Sequence, residues 1–132
     1  MNKIVIIFVI IIIIIIINNN VIIPFLIKLP SDNYKLVDEN FKELGYKQYL
    51  LERLEQYQCY KYINKDSIVL ELGGRYGVVS ININKRLNNP NYHIVIEPDK
   101  SVIKALKYNK FISNSKFKII EGIISNKSNN KI

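Results

Sequence analysis

The stretch that decides the fold is residues 67–110, SIVLELGGRYGVVSININKRLNNPNYHIVIEPDKSVIKALKYNK. A short apolar run at 68–72 is followed at once by a glycine-rich turn, and a second apolar run at 93–96 ends in Glu-Pro-Asp. Such runs are typical of buried parallel strands. A glycine turn or an acid at the carboxyl end of each run is typical of an α/β site for a nucleotide.

The spacing of apolar residues predicts the neighbouring elements. We predict helices at 39–60, 78–87 and 101–109, a third strand at 117–120 and a linker at 29–40. Strands that alternate with helices imply a right-handed β-α-β-α-β unit with a parallel sheet. The fold class is therefore α/β, with a Rossmann-like sheet that is incomplete.

The first predicted helix carries apolar residues near three- and four-residue spacing, namely Phe41, Leu44, Leu51 and Leu54. We expect this stripe to pack on the edge of the sheet, and a partner-binding helix is the alternative. Gly45 is expected to weaken the helix without ending it.

The glycine turn and the second acid have the chemistry of a cofactor site. Gly73, Gly74 and Gly77 directly follow the first predicted strand. Glycine permits positive φ and lets a ligand approach the backbone closely. Glu97 ends the second strand, where a carboxylate can accept hydrogen bonds from both hydroxyls of a ribose.

Two common nucleotide motifs fit this turn poorly. The dinucleotide motif G-x-G-x-x-G, started at Gly73, requires glycine where the chain has Arg75 and Val78. The phosphate-binding P-loop requires Gly-Lys-Ser/Thr, which is absent from the turn. The sequence therefore disfavours an NAD-dependent oxidoreductase and a nucleoside triphosphatase.

The segment E-L-G-G-R-Y-G at 71–77 resembles the first motif of class I S-adenosylmethionine-dependent methyltransferases, an acid followed by glycines two and six positions on. Arg75 stands at the middle glycine of that motif. The resemblance is greatest to the FkbM-type methyltransferases, which commonly replace this glycine.

Two further segments extend the resemblance. Residues 96–99, I-E-P-D, lead to A-L-K-Y-N at 105–109, similar to the acid, proline and helix of the FkbM second motif. Residues 117–125, FKIIEGIIS, are similar to the next strand and loop. The resemblance covers about residues 66–126.

The resemblance implies S-adenosylmethionine as the cofactor and assigns five residues to it. Glu71 is expected to orient the methionine end, and Gly73, Gly74 and Gly77 to form the loop around that moiety. Glu97 is expected to hold the ribose.

Neighbouring residues have less certain roles. We expect Asp99 to cap the second helix of the unit. Arg75 is expected to face either a substrate anion or solvent. Where other class I members place an acid for the adenine, this chain has Gly122 followed by Ile123.

The resemblance assigns no catalytic residue. In this family the methyl acceptor site and any base come from the fourth strand and later, and this chain ends just after the third. We therefore expect a truncated methyltransferase, whose sheet is completed by self-association or by a second chain. The alternative is a non-catalytic, membrane-anchored protein with a Rossmann-like remnant that serves as an interaction module.

The amino terminus predicts a membrane segment. Residues 4–17 are fourteen consecutive apolar positions, Asn18 to Asn20 interrupt them, and 21–27 resume the run. We predict an uncleaved single-pass anchor at 1–28. A cleaved signal peptide and a core segment are the alternatives, and the absence of Ala, Gly or Ser before Ser31 disfavours cleavage.

The anchor sets the division of the chain. After it we expect a linker and amphipathic helix at 29–62, a cofactor-binding half at 63–126 and a polar tail at 127–132. Lys3 precedes the apolar run at 4–27, whereas Lys28, Lys35 and Lys42 follow it. By the positive-inside rule the remainder is expected on the cytoplasmic side.

Composition excludes some functions. The formal net charge is +8, but the lysines are scattered and no dense arginine block occurs, which disfavours nucleic-acid binding. Cys59 is the single cysteine, so neither an intrachain disulfide nor a cysteine-built metal site forms. We predict no metal site, a small buried thiol at Cys59 within an amphipathic helix, and a non-catalytic role for His93, the single histidine.

Overall fold

A computed structural model of the chain describes residues 26–125. Three parallel strands form its sheet in the order β1-β2-β3: β1 Val69–Leu72, β2 His93–Glu97 and β3 Lys118–Glu121. Glu71 pairs with Val95 across the first ladder, and Val95 pairs with Ile119 across the second. The predicted α/β class with a parallel three-stranded sheet is confirmed.

Helices separate the strands and precede them. They are α1 Tyr46–Leu51, α2 Arg53–Tyr62, α3 Val78–Arg86 and α4 Ile103–Ile112, and a 3-10 turn spans Pro30–Asn33. The alternation β1-α3-β2-α4-β3 is the predicted one, and the strands lie within one residue of their predicted bounds.

The first predicted helix was placed too early. Gly45 precedes α1 with extended backbone (φ −71°, ψ 159°), so it marks the start of the helix rather than a weak point within it. Before it, Oδ1 of Asp38 accepts hydrogen bonds from the backbone N–H groups of Asn40 and Lys42, and Phe41 has φ 59°. An aspartate-centred turn therefore replaces the predicted first helical turns.

The prediction that this helix buries its apolar stripe is also wrong. Leu51 and Leu54 are 77% and 47% exposed, whereas Arg53 and Gln56 are buried. Arg53 is held by an ion pair with Asp32 at 2.8 Å. A polar network, rather than an apolar stripe, fixes α2 against the 3-10 turn.

The predicted linker at 29–40 belongs largely to the packed structure. Leu29 and Leu36 are 1% and 0% exposed, and Val37 is also buried. The side chain of Asn109 on α4 accepts from the Val37 N–H at 2.9 Å and donates to the Val37 carbonyl at 2.8 Å. These two hydrogen bonds hold the segment around Val37 against α4.

Helices α3 and α4 cover one face of the sheet. The fully buried apolar side chains there are Leu36, Ile81, Val95, Ala105, Leu106 and Phe117. Asn82 and Asn84 of α3 are poor helix formers, and both are buried because their side chains bind neighbouring segments. Asn82 accepts from Ser31 N–H at 2.9 Å, and Asn84 accepts from Lys116 N–H at 2.8 Å. They tie α3 to its neighbours.

The opposite face of the sheet remains exposed. Leu70, Leu72 and Ile120 point there and are 55%, 64% and 39% exposed. Parallel sheets are ordinarily covered on both faces. Within residues 26–125 the sheet therefore has one packed face and one apolar open face.

The predicted membrane anchor at 1–28 lies outside the described residues except for its last three, and so does the polar tail at 127–132. Across the described range, 26–125, every helix is too short or too polar to cross a bilayer.

Candidate functional site

The glycine turn lies directly after β1 and folds back onto β2. Gly73 and Gly77 have φ of 86° and 82°, in the left-handed region that favours glycine. A Cβ on Gly74 would lie 2.3 Å from Cγ1 of Val95. Two of the predicted glycines therefore serve backbone conformation, and Gly74 serves close packing on the sheet.

Arg75 occupies the middle of the turn and is also left-handed, with φ 44°. Its backbone N–H donates to Oε2 of Glu97 at 2.7 Å. Its guanidinium lies 3.6 Å from Oε1 of Glu52 and stacks over the ring of Tyr76. Arg75 thus keeps a glycine-like backbone while its side chain pairs with an acid at the break between α1 and α2.

Glu97 joins the turn to the end of β2. Its second oxygen, Oε1, accepts from the N–H of Asp99 at 2.8 Å, and the residue is 5% exposed. Both carboxylate oxygens are therefore engaged by backbone donors, although each retains a second lone pair. The structure brings Glu97 to the glycine turn as predicted and gives it a clear role in holding the turn.

Glu71 points to the helix-covered side of the sheet. Its Oε1 accepts from Ser80 Oγ at 3.0 Å, and its Oε2 lies 2.9 Å from Nε2 of His93. Nδ1 of His93 is buried with no hydrogen-bond partner among the described residues. His93 and Ser80 therefore fix Glu71 beneath the turn.

The cavity at this point is small. It measures about 70 Å³ and is lined by Glu52, Glu55, Glu71, Leu72, Gly73, Gly74, Arg75 and Val79. Sites for small organic ligands usually measure roughly 300–1,000 Å³. A cofactor at the turn therefore needs the Glu52–Arg75 pair to open, or it lies along the exposed side of the strand ends.

Glu52 is the residue of this site that the sequence did not reveal. Burial raises its pKa above the ordinary value, Arg75 opposes that rise, and the charges of Glu55 and Glu71 add to it. Glu52 lies at the break between α1 and α2, where φ is −105° and ψ is 10°. Nothing in the sequence marks this break, so no motif pointed to Glu52.

Two residues beside Glu97, Asp99 and Gly122, have roles that the sequence did not predict. Oδ1 of Asp99 accepts from the N–H and Oγ of Ser101, whereas α4 begins at Ile103 with Val102 as its cap. Asp99 therefore holds the turn before the helix and is not the predicted helix cap. Gly122 donates its N–H to the Glu97 carbonyl at 3.0 Å, which draws the end of β3 to the same site.

The remaining chemical groups lie elsewhere. Cys59 is half-buried beside α3, and burial raises the pKa of its thiol. A larger cavity of about 540 Å³ is lined by Asp32, Asn33, Tyr34, Lys35, Glu43, Tyr46, Tyr49, Leu50 and Arg53. It contains none of the predicted site residues. In residues 26–125, no group of three or more His, Cys, Asp or Glu side chains is placed to hold a metal ion.

The geometry thus brings the glycine turn, Glu71 and Glu97 together at the carboxyl ends of β1 and β2. Comparison of the chain with known proteins finds no family model, no curated protein and no solved structure that it matches.

Proposed function

We propose that this chain binds S-adenosylmethionine at the glycine turn and is the cofactor-binding half of an FkbM-like methyltransferase with a Rossmann-like sheet. The observation that carries the proposal is the hydrogen bond from Arg75 N–H to Glu97 at 2.7 Å. It joins the two motifs that the resemblance pairs, the turn after the first strand and the acid after the second. The left-handed backbone of Arg75, where the motif has glycine, gives further support.

When bound, S-adenosylmethionine would supply an electrophilic methyl group for a nucleophilic acceptor, with the electrons of the broken carbon–sulfur bond remaining on the sulfur of S-adenosylhomocysteine. In this proposal Gly73, Gly74 and Gly77 shape the loop for the methionine end. Glu97 uses its remaining lone pairs toward the ribose, and Glu71 supports the loop from below through Ser80.

The proposal includes a location. Residues 1–28 anchor the chain in a membrane, with the remainder on the cytoplasmic side. The support is the run of fourteen apolar residues at 4–17 and the lysines that follow it, Lys28, Lys35 and Lys42.

Calorimetry of the full chain in detergent micelles tests cofactor binding. S-adenosylmethionine and S-adenosylhomocysteine are titrated, with NAD as the control ligand. The informative variant is Gly73→Asn, because asparagine tolerates left-handed backbone and a Cβ at Gly73 meets no atom within 4 Å. The fold is retained while the space for the ligand is filled.

We expect saturable binding of both adenosyl ligands and affinity at least about tenfold lower in Gly73→Asn. Gly45→Asn is the matched control, since Gly45 precedes α1 far from the turn and asparagine is favoured at a helix start. Absence of binding by the folded wild-type chain, or equal binding by Gly73→Asn, would contradict the proposal.

The open face of the sheet favours a second candidate, an interaction module without catalysis. Leu70 and Leu72 on edge strand β1 are more than half exposed. A second copy or a separate chain on this face would bury the exposed apolar side chains, as is usual for parallel sheets. Sedimentation of the full chain in micelles, compared with Leu70→Lys, tests self-association. A dimer that dissociates in the variant, together with absent cofactor binding, would favour this candidate over the first.

A further inference from the structure

Helix α4 turns a lysine–aromatic face outward. Its buried residues are Ile103, Ala105, Leu106 and Asn109. The positions between them form one solvent-facing stripe at helical spacing, which consists of Lys104, Lys107, Tyr108 and Phe111. In the sequence the lysines are scattered, and this group of lysines and aromatic residues forms only when the helix forms.

The aromatic residues on this face are exposed in the described part of the chain. Phe111 is 80% exposed and Tyr108 is 41% exposed. Phe41, itself 52% exposed, packs edge-to-face on Tyr108 with ring centroids 5.7 Å apart. Three neighbouring exposed aromatic rings make a patch of the kind that marks an interaction surface.

Electrostatics point to an anionic partner. Lys107 pairs with Glu121 at 2.6 Å, but within residues 26–125 no ion pair involves Lys104, Lys110 or Lys116. The helix dipole accounts for Lys110, which lies in the last turn. It does not account for Lys104, because a cation is disfavoured in the first turn of a helix. The positive charge of this face is therefore greater than the helix dipole and the ion pair with Glu121 account for.

A cavity borders the same face. It measures about 270 Å³ and is lined by Lys107, Lys110, Phe111, Asn114, Ser115, Lys116 and Ile119. Three lysine side chains therefore line a space beside the exposed ring of Phe111. The Lys107 ammonium pairs with Glu121, that of Lys110 lies over the ring of Phe117, and that of Lys116 donates to Oδ1 of Asn114. That combination suits a phosphate-bearing headgroup whose neighbouring acyl region meets Phe111.

The face also lies on the appropriate side of the domain. The described chain begins at Leu26, and Ser31 is hydrogen-bonded to Asn82 of α3. Helices α3 and α4 cover the same face of the sheet. The 3-10 turn at Pro30–Asn33, near the start of the described residues, and the lysine–aromatic face therefore lie on the same side of the sheet.

We propose that the lysine–aromatic face of α4 lies on the surface of an anionic bilayer, with Phe111 at the headgroup–acyl boundary and the lysines beside lipid phosphates. The proposal does not depend on cofactor binding. It rests on the proposed location only because the anchor would hold the domain beside a bilayer. An amphipathic surface of this composition binds through apolar insertion and attraction to anionic lipid. The face contains no arginine, the residue that most often makes specific contacts with base edges.

Tryptophan fluorescence tests this directly because the 132-residue chain contains no tryptophan. Phe111→Trp introduces a single probe on the full chain, which is reconstituted into vesicles with brominated acyl chains. One set contains phosphatidylcholine alone and the other includes phosphatidylserine. Tyr62→Trp is the matched control, since Tyr62 is an exposed aromatic residue on α2 beside Lys61.

We expect quenching of the probe at 111 in the anionic vesicles only, and none of the probe at 62. Adding Lys104→Gln is expected to weaken the docked state about five-fold, the effect of one lysine near an anionic leaflet. High salt is expected to abolish the quenching.

Three results would overturn the proposal. They are an unquenched probe at 111 in anionic vesicles that carry the chain, equal quenching in both lipid mixtures, and equal quenching of the probe at 62. Quenching of the 111 probe by oligothymidylate in micelles without lipid would reassign the face to nucleic acid. Failure of the chain to enter either vesicle would instead contradict the anchor, and docking of the unanchored chain on anionic vesicles remains measurable by the same probe.

Discussion

The carboxylate of Glu97 is predicted to be a main source of stability for the site, whether or not a cofactor binds. Its two oxygens accept backbone hydrogen bonds from Arg75 at 2.7 Å and from Asp99 at 2.8 Å, and the residue is 5% exposed. Hydrogen bonds to a charged group contribute about 1.5–3 kcal/mol each, and a buried unpaired donor costs about 1–3 kcal/mol. In Glu97→Gln the side-chain amide oxygen still accepts one of these backbone hydrogen bonds. The side-chain N–H then faces the second backbone donor and cannot accept from it.

We therefore expect Glu97→Gln to lower the free energy of unfolding by about 2–3 kcal/mol and Glu97→Ala by about 3–5 kcal/mol. The measurement is equilibrium urea unfolding of the full chain in micelles, followed by circular dichroism. Glu121→Gln is the matched control, because Glu121 pairs in register with Glu97 on β3 but is exposed in an ion pair. That change is expected to cost less than about 1 kcal/mol.

A loss below about 0.5 kcal/mol in Glu97→Gln, with an unchanged urea slope, would refute this reasoning. The result also governs how ligand binding is interpreted. If Glu97 variants are partly unfolded at the titration temperature, their loss of cofactor affinity reports on the turn and not on a contact with ribose. Titrations of these variants are therefore informative only below their unfolding transition.

Three further predictions concern the same domain. Gly74→Ala places a Cβ against Val95 and is expected to cost about 1–3 kcal/mol in urea unfolding, with partial recovery when Val95→Ala is added. Asn109→Ala removes three buried hydrogen bonds and is expected to cost about 2–4 kcal/mol; a cost near zero would show that the segment around Val37 is not held through α4. The folded-state pKa of Glu52 is raised, so ionising Glu52 costs stability as pH rises above the ordinary value of 4.5. Glu52→Gln is thus expected to melt higher than wild type near neutral pH, with the difference disappearing in acid. A difference that grows in acid would contradict the direction of the pKa shift.

The strands were predictable because their signals are local. Each is a short apolar run that stops at a glycine turn, an acid or a polar break, and the runs around 68–72, 93–96 and 117–120 are all strands within one residue. The meeting of Glu97 with the turn was predictable for a related reason. Carboxyl ends of neighbouring parallel strands lie at one edge of a sheet whatever the rest of the chain does.

The segment before β1 was not predictable in the same way. Its stability comes from polar contacts between distant residues, such as Arg53 with Asp32 and Asn109 with Val37. Hydrophobic periodicity contains no information about such pairs. The same limitation concealed Glu52, whose place beside the glycine turn depends on a helix break that no turn residue announces.

The contacts that build the candidate site also account for most of its residues without a ligand. Gly74 is required by Val95, Gly77 by its positive φ and by the packing of Leu106, and both oxygens of Glu97 are engaged by the backbone. Gly73 differs, because a side chain there meets nothing within 4 Å.

The fold therefore requires of Gly73 only its backbone conformation, which asparagine can also adopt. Any need for an absent side chain at 73 must come from a bound molecule. For this reason the comparison of Gly73→Asn with wild type separates a working cofactor site from a turn that serves the fold alone. Variants of Gly74 or Glu97 do so less directly, because they also destabilise the fold.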